Sequence, residues 1–159
     1  MVMDLIYRQA QESDLTTLIE MLADDQLGAH REDSSKPVNE AYIKALNIIS
    51  DDVNNELIVA EIEEGLETSI IGMLQLTFIP YLTYKGSWRC LIEGVRVHKD
   101  HRSKGYGKQL FEWSIKRAKI RGCNIVQLTS NKQRSDALRF YHDLGFKASH
   151  EGFKLMIED

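Results

Sequence analysis

Residues 97 to 108, VHKDHRSKGYGK, gather Lys99, Arg102, Lys104 and Lys108 around Gly105 and Gly107, against the single acid Asp100. Directly after this run the apolar residues change from strand alternation to helical spacing. A helix N-terminus carries unpaired backbone N–H groups and a partial positive charge, and glycines there remove the Cβ atoms that would hold an anion away. The arrangement suits phosphate. A solvated basic turn competes for the same residues, because glycine and charge are common where strands meet helices. Two familiar phosphate loops are excluded. The pattern G-x-x-x-x-G-K-[ST] fails because Arg102 stands where its first glycine would be and Gln109 follows Lys108. The pattern G-x-G-x-x-G fails at Leu110.

Other reactive residue types are sparse. Cys90 and Cys123 lie in apolar, strand-like settings with no histidine beside either, which suits packed thiols better than nucleophiles. His98 and His101 form H-x-x-H, but flanking Lys and Arg make a poor cation site, so no metal is expected.

The elements that must hold the basic turn follow from periodicity. LIYRQA (5 to 10) reads as a strand, and Ser13 is placed to cap a helix carrying Leu15, Leu18, Ile19 and Leu22. A loop over 24 to 37 precedes a helix over about 39 to 50. ELIVAEIE and SIIGMLQLTFIP flank EGLET as a hairpin, and SWRCLIEGVRVH is a further strand. From Gly105 a helix presents Tyr106, Leu110, Phe111, Ser114, Ile115 and Ala118 on one arc. NIVQLTS is a strand, SDALRFYHDLGF a helix capped by Ser135 with Ala137, Leu138, Tyr141 and Leu144 inward, and FKLMIE a closing strand. The order predicts an α/β fold with a mixed sheet and helices on its faces, including one parallel crossover over 87 to 130.

At 159 residues, 43% hydrophobic and 28% charged, the composition predicts a single domain, 1 to 159. A net charge of −4 argues against a surface devoted to nucleic acid or anionic lipid. No apolar run long enough to span a membrane and no leader pattern is seen, so a cytoplasmic location is expected.

IEGVRVHKDHRSKGYGKQLFEW resembles the coenzyme A signature of the GNAT superfamily of N-acetyltransferases, a strand ending in V-x-V followed by [RQ]-x-x-G-x-[GA] and a long helix. Arg102, Ser103, Lys104, Gly105, Tyr106 and Gly107 fill that motif without a gap, and ALRFYHDLGF matches a second hallmark. The resemblance implies a twisted mixed sheet of about six to seven strands with about four helices, splayed at the cofactor site. It implies acetyl-CoA as acyl donor, its pyrophosphate on the amides of 102 to 107 with Lys108 close by. Val95, Arg96 and Val97 would lie along the pantetheine arm, and an amide near Val95 would serve as oxyanion donor. Gly94 in mid-strand fits a bulge there, or a plain packing glycine.

Acyl transfer to an amine needs a base, because an alkyl ammonium has a pKa of about 10.4. Glu93 is the candidate. In strict alternation it shares a face with Leu91, Val95 and Val97, where an idle carboxylate would be costly, whereas a bulge at Gly94 would reset the facing and leave it in water. Tyr141 matches the position where the superfamily often carries the acid that protonates the sulfur; a core tyrosine would look the same. Asn131 is either a cofactor contact or a turn residue. Asp24, Asp25, Glu32 and Asp33 could form an acidic lip for a cationic amine, or a solvated loop. The expected partner is a small-molecule or peptide amine, with no nucleic acid and no membrane, and family members are often homodimers. A coenzyme A sensing domain without turnover is the alternative.

Overall fold

A computed structural model describes residues 3 to 158. The chain divides into two compact units, Met1–Gln127 and Leu128–Asp159. The first holds a five-stranded sheet in the order β1-β2-β3-β4-β5, with β1 Ile6–Gln9, β2 Asn55–Glu64, β3 Glu67–Pro80, β4 Trp88–Val97 and β5 Cys123–Gln127. Neighbours are antiparallel except β4 and β5, which are parallel across the crossover helix, as the sequence predicts. The mixed sheet has five strands, fewer than the six to seven expected. The missing closing strand is residues 153 to 158, which join no ladder. An apolar alternating segment becomes a strand only when another strand's N–H and C=O groups are opposite it.

Helix α1, Leu15–Ala23, and helix α2, Glu40–Asp51, cover one face. Their Leu15, Leu18, Ile19, Met21 and Leu46 pack with Val59 of β2 and Met73 of β3. Asn39 caps α2 by accepting from the Ala41 amide at 2.9 Å. At α1 the cap is Asp14 rather than Ser13, because a 3-10 turn, Glu12–Asp14, intervenes and Asp14 accepts from the Gln11 amide at 2.7 Å. A single helical turn, α3 Thr83–Gly86, joins β3 to β4, with Tyr84 and Lys85 at positive φ.

Helix α4, Tyr106–Ile120, lies on the opposite face and buries Tyr106, Leu110, Phe111, Ser114 and Ala118, the arc read from its spacing. Buried Ser114 donates to the Leu110 carbonyl at 2.7 Å. Gly72 of β3 gives Leu110 its place: a Cβ there would stand 3.1 Å from a Leu110 methyl. Arg117 and Arg121 of α4 reach across to buried Glu56 of β2, Arg117 Nε at 3.0 Å and Arg121 Nη1 at 3.2 Å. A buried carboxylate left alone would be costly, so removing either arginine should hurt more than their own contacts suggest.

Among its described residues the second unit contains one helix, α5 Ala137–Asp143, whose N-cap position is Asp136 rather than Ser135. Leu138, expected inward, is 54% exposed.

Candidate active site

The β4–α4 connection is built from backbone conformations that leave amides free. After Val97 a 3-10 turn, Lys99–His101, leads to Arg102 in extended conformation, Ser103 at φ 59° and Gly105 at φ 86°, from which α4 starts. The glycine is required there, since the left-handed region costs an L-residue about 1–2 kcal/mol. The first hydrogen bond of α4 runs from the Gln109 amide to the Gly105 carbonyl at 3.3 Å. Among the described residues, the amides of 103 to 108 make no hydrogen bond. They form one run of donors at the positive end of a four-turn helix.

Side chains around the turn play different parts. Tyr106 is buried against Ile62 and Ile71, so only its backbone is available to a ligand. Lys104 Nζ donates to the Asp100 carbonyl at 2.9 Å. Lys108 is exposed and pairs with Glu112 at 3.7 Å. Arg102 points back along the sheet, its Nε donating to the Val97 carbonyl at 3.1 Å and its Nη2 to Asp24 Oδ2 at 3.0 Å.

The sheet opens beside this turn. The β4–β5 ladder ends at Leu91 with Gln127, and β4 continues through Ile92–Val97 with β3 as its one ladder partner among the described residues. Val95, Arg96 and Val97 are half-buried there. The β3–β4 register shifts between Met73 and Gln75, opposite Gly94 at φ 61°, which is the bulge that the mid-strand glycine suggested. It overturns strict alternation. Glu93 stands opposite Gln75 with buried Ile92 turned the other way, while Val97 packs with Ile62, Ile71 and Tyr106 on the α4 face. Glu93 is therefore exposed on the α1 and α2 face and does not share a face with Val97. The polar residues around it, missed in the sequence, are Gln75, Asn55 and Thr77, with Thr77 Oγ1 donating to Asn55 Oδ1 at 2.8 Å. Cross-strand register alone could have shown them.

The acidic loop is also reassigned. Asp25 pairs with Arg96 at 3.2 Å and Asp24 with Arg102, while Asp33 accepts from the Ser35 amide and Asn39. These bonds hold the Asp33 carboxyl down at about 2. All four acids of the expected lip thus already have partners, since Glu32 accepts from the Tyr42 hydroxyl at 2.8 Å. Cys90 is fully buried, and burial pushes its thiol up to about 12. No group of three metal-ligating side chains occurs among the described residues.

In the second unit, Tyr141 is half-buried, with its ring 5.5 Å from Phe140 and 6.1 Å from Phe146. Asn131 Oδ1 accepts from the Gln133 amide at 2.9 Å, closing its own turn.

Comparison with known proteins bears on the same elements. The family described as Acetyltransferase (GNAT) family matches residues 15–146. An aminoalkylphosphonate N-acetyltransferase of Salmonella typhimurium is 31% identical over 84 residues, 53% of this chain and 54% of that protein, so the chain spans about half the length of this relative. A crystal structure described as a transcriptional regulator from Bacillus halodurans is 56% identical, covers 97% of this chain and 100% of its own, and superposes with a TM-score of 0.89. An acetyltransferase of Trypanosoma brucei is 26% identical over 97% of this chain and 100% of its own, with a TM-score of 0.74. With its free amide run, bulged β4 and matched family segment, the chain belongs to the GNAT acetyltransferase family.

Proposed function

We propose that this chain is an acetyl-CoA-dependent N-acetyltransferase that moves an acetyl group directly to a primary amine, acting as one domain. The observation that carries the reading is the run of unbonded amides from 103 to 108 beside the unpaired stretch of β4. A pyrophosphate satisfies the first, through donors that would otherwise face water, and an extended amide-bearing arm satisfies the second. Lys108, Lys104 and Arg102 add positive charge around it.

In this reading Glu93 takes the proton from the attacking amine, directly or through water, which its exposure permits. The nitrogen lone pair adds to the thioester carbonyl, an amide near Val95 stabilises the oxyanion, and collapse expels the thiolate, which Tyr141 protonates. Cys90 takes no part, because a buried neutral thiol is a poor nucleophile. The family match across 15–146 includes both units and supports treating them as one catalytic domain.

The test is a panel of amines incubated with acetyl-CoA while free thiol is followed, with an aminoalkylphosphonate included because a relative is named for that acceptor. Glu93→Gln is expected to lower kcat about 100-fold and Tyr141→Phe about 10-fold or more, with coenzyme A affinity retained. Full rates in both variants would refute the assigned roles. A second reading, a coenzyme A sensing domain without turnover, is favoured by the description of the 56% identical relative as a transcriptional regulator. Thiol release dependent on any amine eliminates it. Direct nucleic-acid binding through residues 116 to 122 gains little support, since Arg117 and Arg121 are turned onto Glu56.

A further inference from the structure

Glu93 of β4 stands directly opposite Gln75 of β3, so the two side chains share the α1 and α2 face. Opposed residues of an antiparallel pair hold their Cβ atoms about 4.5–5.5 Å apart, and one nitrogen can lie within hydrogen-bond reach of both tips. A chain of hydrogen bonds starting at Asp52 decides which end of the Gln75 amide meets that nitrogen. Asp52, at the C-cap of α2, accepts from the Asn54 amide at 2.8 Å and from Asn55 Nδ2 at 2.6 Å. These bonds, the Asn54 amide first, hold its carboxyl below the ordinary value, so it is ionised at neutral pH and only accepts. Asn55 must therefore turn its NH2 to Asp52 and its Oδ1 to the sheet face. There Oδ1 accepts from Thr77 Oγ1 at 2.8 Å and from Gln75 Nε2 at 3.4 Å, which fills its two lone pairs. β2 and β4 lie on opposite sides of β3, so an amide whose nitrogen is drawn to Asn55 of β2 leaves its oxygen toward β4. Among the described residues Gln75 Oε1 accepts no hydrogen bond.

We infer that Gln75 Oε1 binds the acceptor amine beside Glu93, and that this contact makes the site selective for primary over secondary amines. The inference rests on the acetyltransferase reading above. A neutral primary amine has two N–H bonds. As its lone pair forms the C–N bond, one proton passes to Glu93, directly or through water, and the other N–H stays in the amide product. Gln75 Oε1 accepts the N–H that stays and so turns the lone pair toward the thioester carbonyl. An N-methyl amine has no N–H to spare. Giving its one proton to Glu93 leaves Gln75 Oε1 against a methyl group, an acceptor deprived of both water and donor. A neutral amide suits this task better than a second carboxylate, because it accepts a hydrogen bond without competing with Glu93 for the proton. Asn55 and Asp52 are positioning residues, which act through the orientation of Gln75.

The test follows thiol release and compares kcat/KM for the best primary amine of the panel with that for its N-methyl derivative. The native chain is expected to favour the primary amine by about tenfold or more. Gln75→Leu should lose about tenfold on the primary amine and change by less than about twofold on the derivative, so that the preference disappears. Gln75→Glu keeps an accepting oxygen and should retain the preference, while Asn55→Leu, which lets the Gln75 amide rotate, should reduce it. Calorimetry should give one coenzyme A affinity for all four proteins, and unchanged circular dichroism verifies their fold. An unchanged preference in Gln75→Leu, or equal losses on both amines, would overturn the proposal and leave acetyl transfer standing. A native preference in Asn55→Leu would overturn the orientation on which it depends. Absence of amine-dependent thiol release from the native chain would refute the acetyltransferase reading and this proposal together.

Discussion

Arg102 Nη2 lies 3.0 Å from Asp24 Oδ2, so the first residue of the phosphate turn is fastened to the C-cap of α1. A second pair, Arg96 of β4 and Asp25 at 3.2 Å, repeats the link from the strand itself. Together they tie the loop after α1 to the strand and turn that would carry the acyl donor. They also offset the positive charge that phosphates would seek.

Asp24→Asn is expected to tighten coenzyme A binding about two- to fivefold, since it removes a carboxylate competing for Arg102, and Arg102→Ala is expected to weaken it. Both partners of the Asp24 pair are nearly half exposed, so stability should change by less than about 1 kcal/mol. Calorimetry with coenzyme A and a thermal melt measure the two effects. Weaker binding in Asp24→Asn would mean that the pair positions the turn rather than neutralising it.

Gly105→Ala is expected to destabilise the protein by about 1–2 kcal/mol, because φ 86° is a left-handed conformation. A residue that leaves the left-handed region there would re-aim the amides that follow, so coenzyme A affinity should fall more than tenfold while binding elsewhere is unaffected. Titration calorimetry at matched folded fraction separates these consequences. Unchanged affinity would remove the turn from the cofactor site.

Asp14 accepts from Arg8 Nη1 at 2.7 Å and from the Gln11 amide, and the Arg8 hydrogen bond, more than any other cause, holds its carboxyl below the ordinary value, against its own burial. A depressed folded value means stability is fully present above the unfolded pKa of about 3.9 and is lost as pH falls through the folded value. Asp14→Asn should therefore cost about 1–2 kcal/mol at pH 7 and progressively less below pH 4. Thermal melts of both proteins across that window should converge at the acid end. Parallel curves would exclude Asp14 as the titrating group.

Cys90 remains a neutral thiol through the neutral range, and burial raises Cys123 as well. Iodoacetamide at pH 7.5 should leave acetyl transfer unchanged, and Cys123→Ser should keep full kcat. Rapid inactivation blocked by acetyl-CoA would point to a thiol intermediate and replace the direct route.

The change of period at Gly105, the Val95 to Val97 strand end and the hairpin around Glu64–Glu67 were legible because each depends on residues adjacent in the chain. At Gly94 the sequence left a bulge and a packing glycine open, and the positive φ and the register shift opposite it decided for the bulge. The facing of Glu93 was not legible, because one extra residue in a strand inverts every side chain beyond it, and alternation cannot reveal on which strand the insertion falls.

Neighbouring residues encode the local features: the elements, the glycine-dependent turn before α4, and the family to which the motif belongs. Partnership was decided only by the tertiary structure. Asp24 with Arg102, Asp25 with Arg96 and Glu56 with Arg117 join residues more than sixty positions apart, and nothing near any of these acids in the chain indicates which cation will reach it. The segment over 153 to 158 shows the same division. Its residue types suit a strand, but a ladder requires a second backbone at hydrogen-bonding distance, which six residues cannot specify.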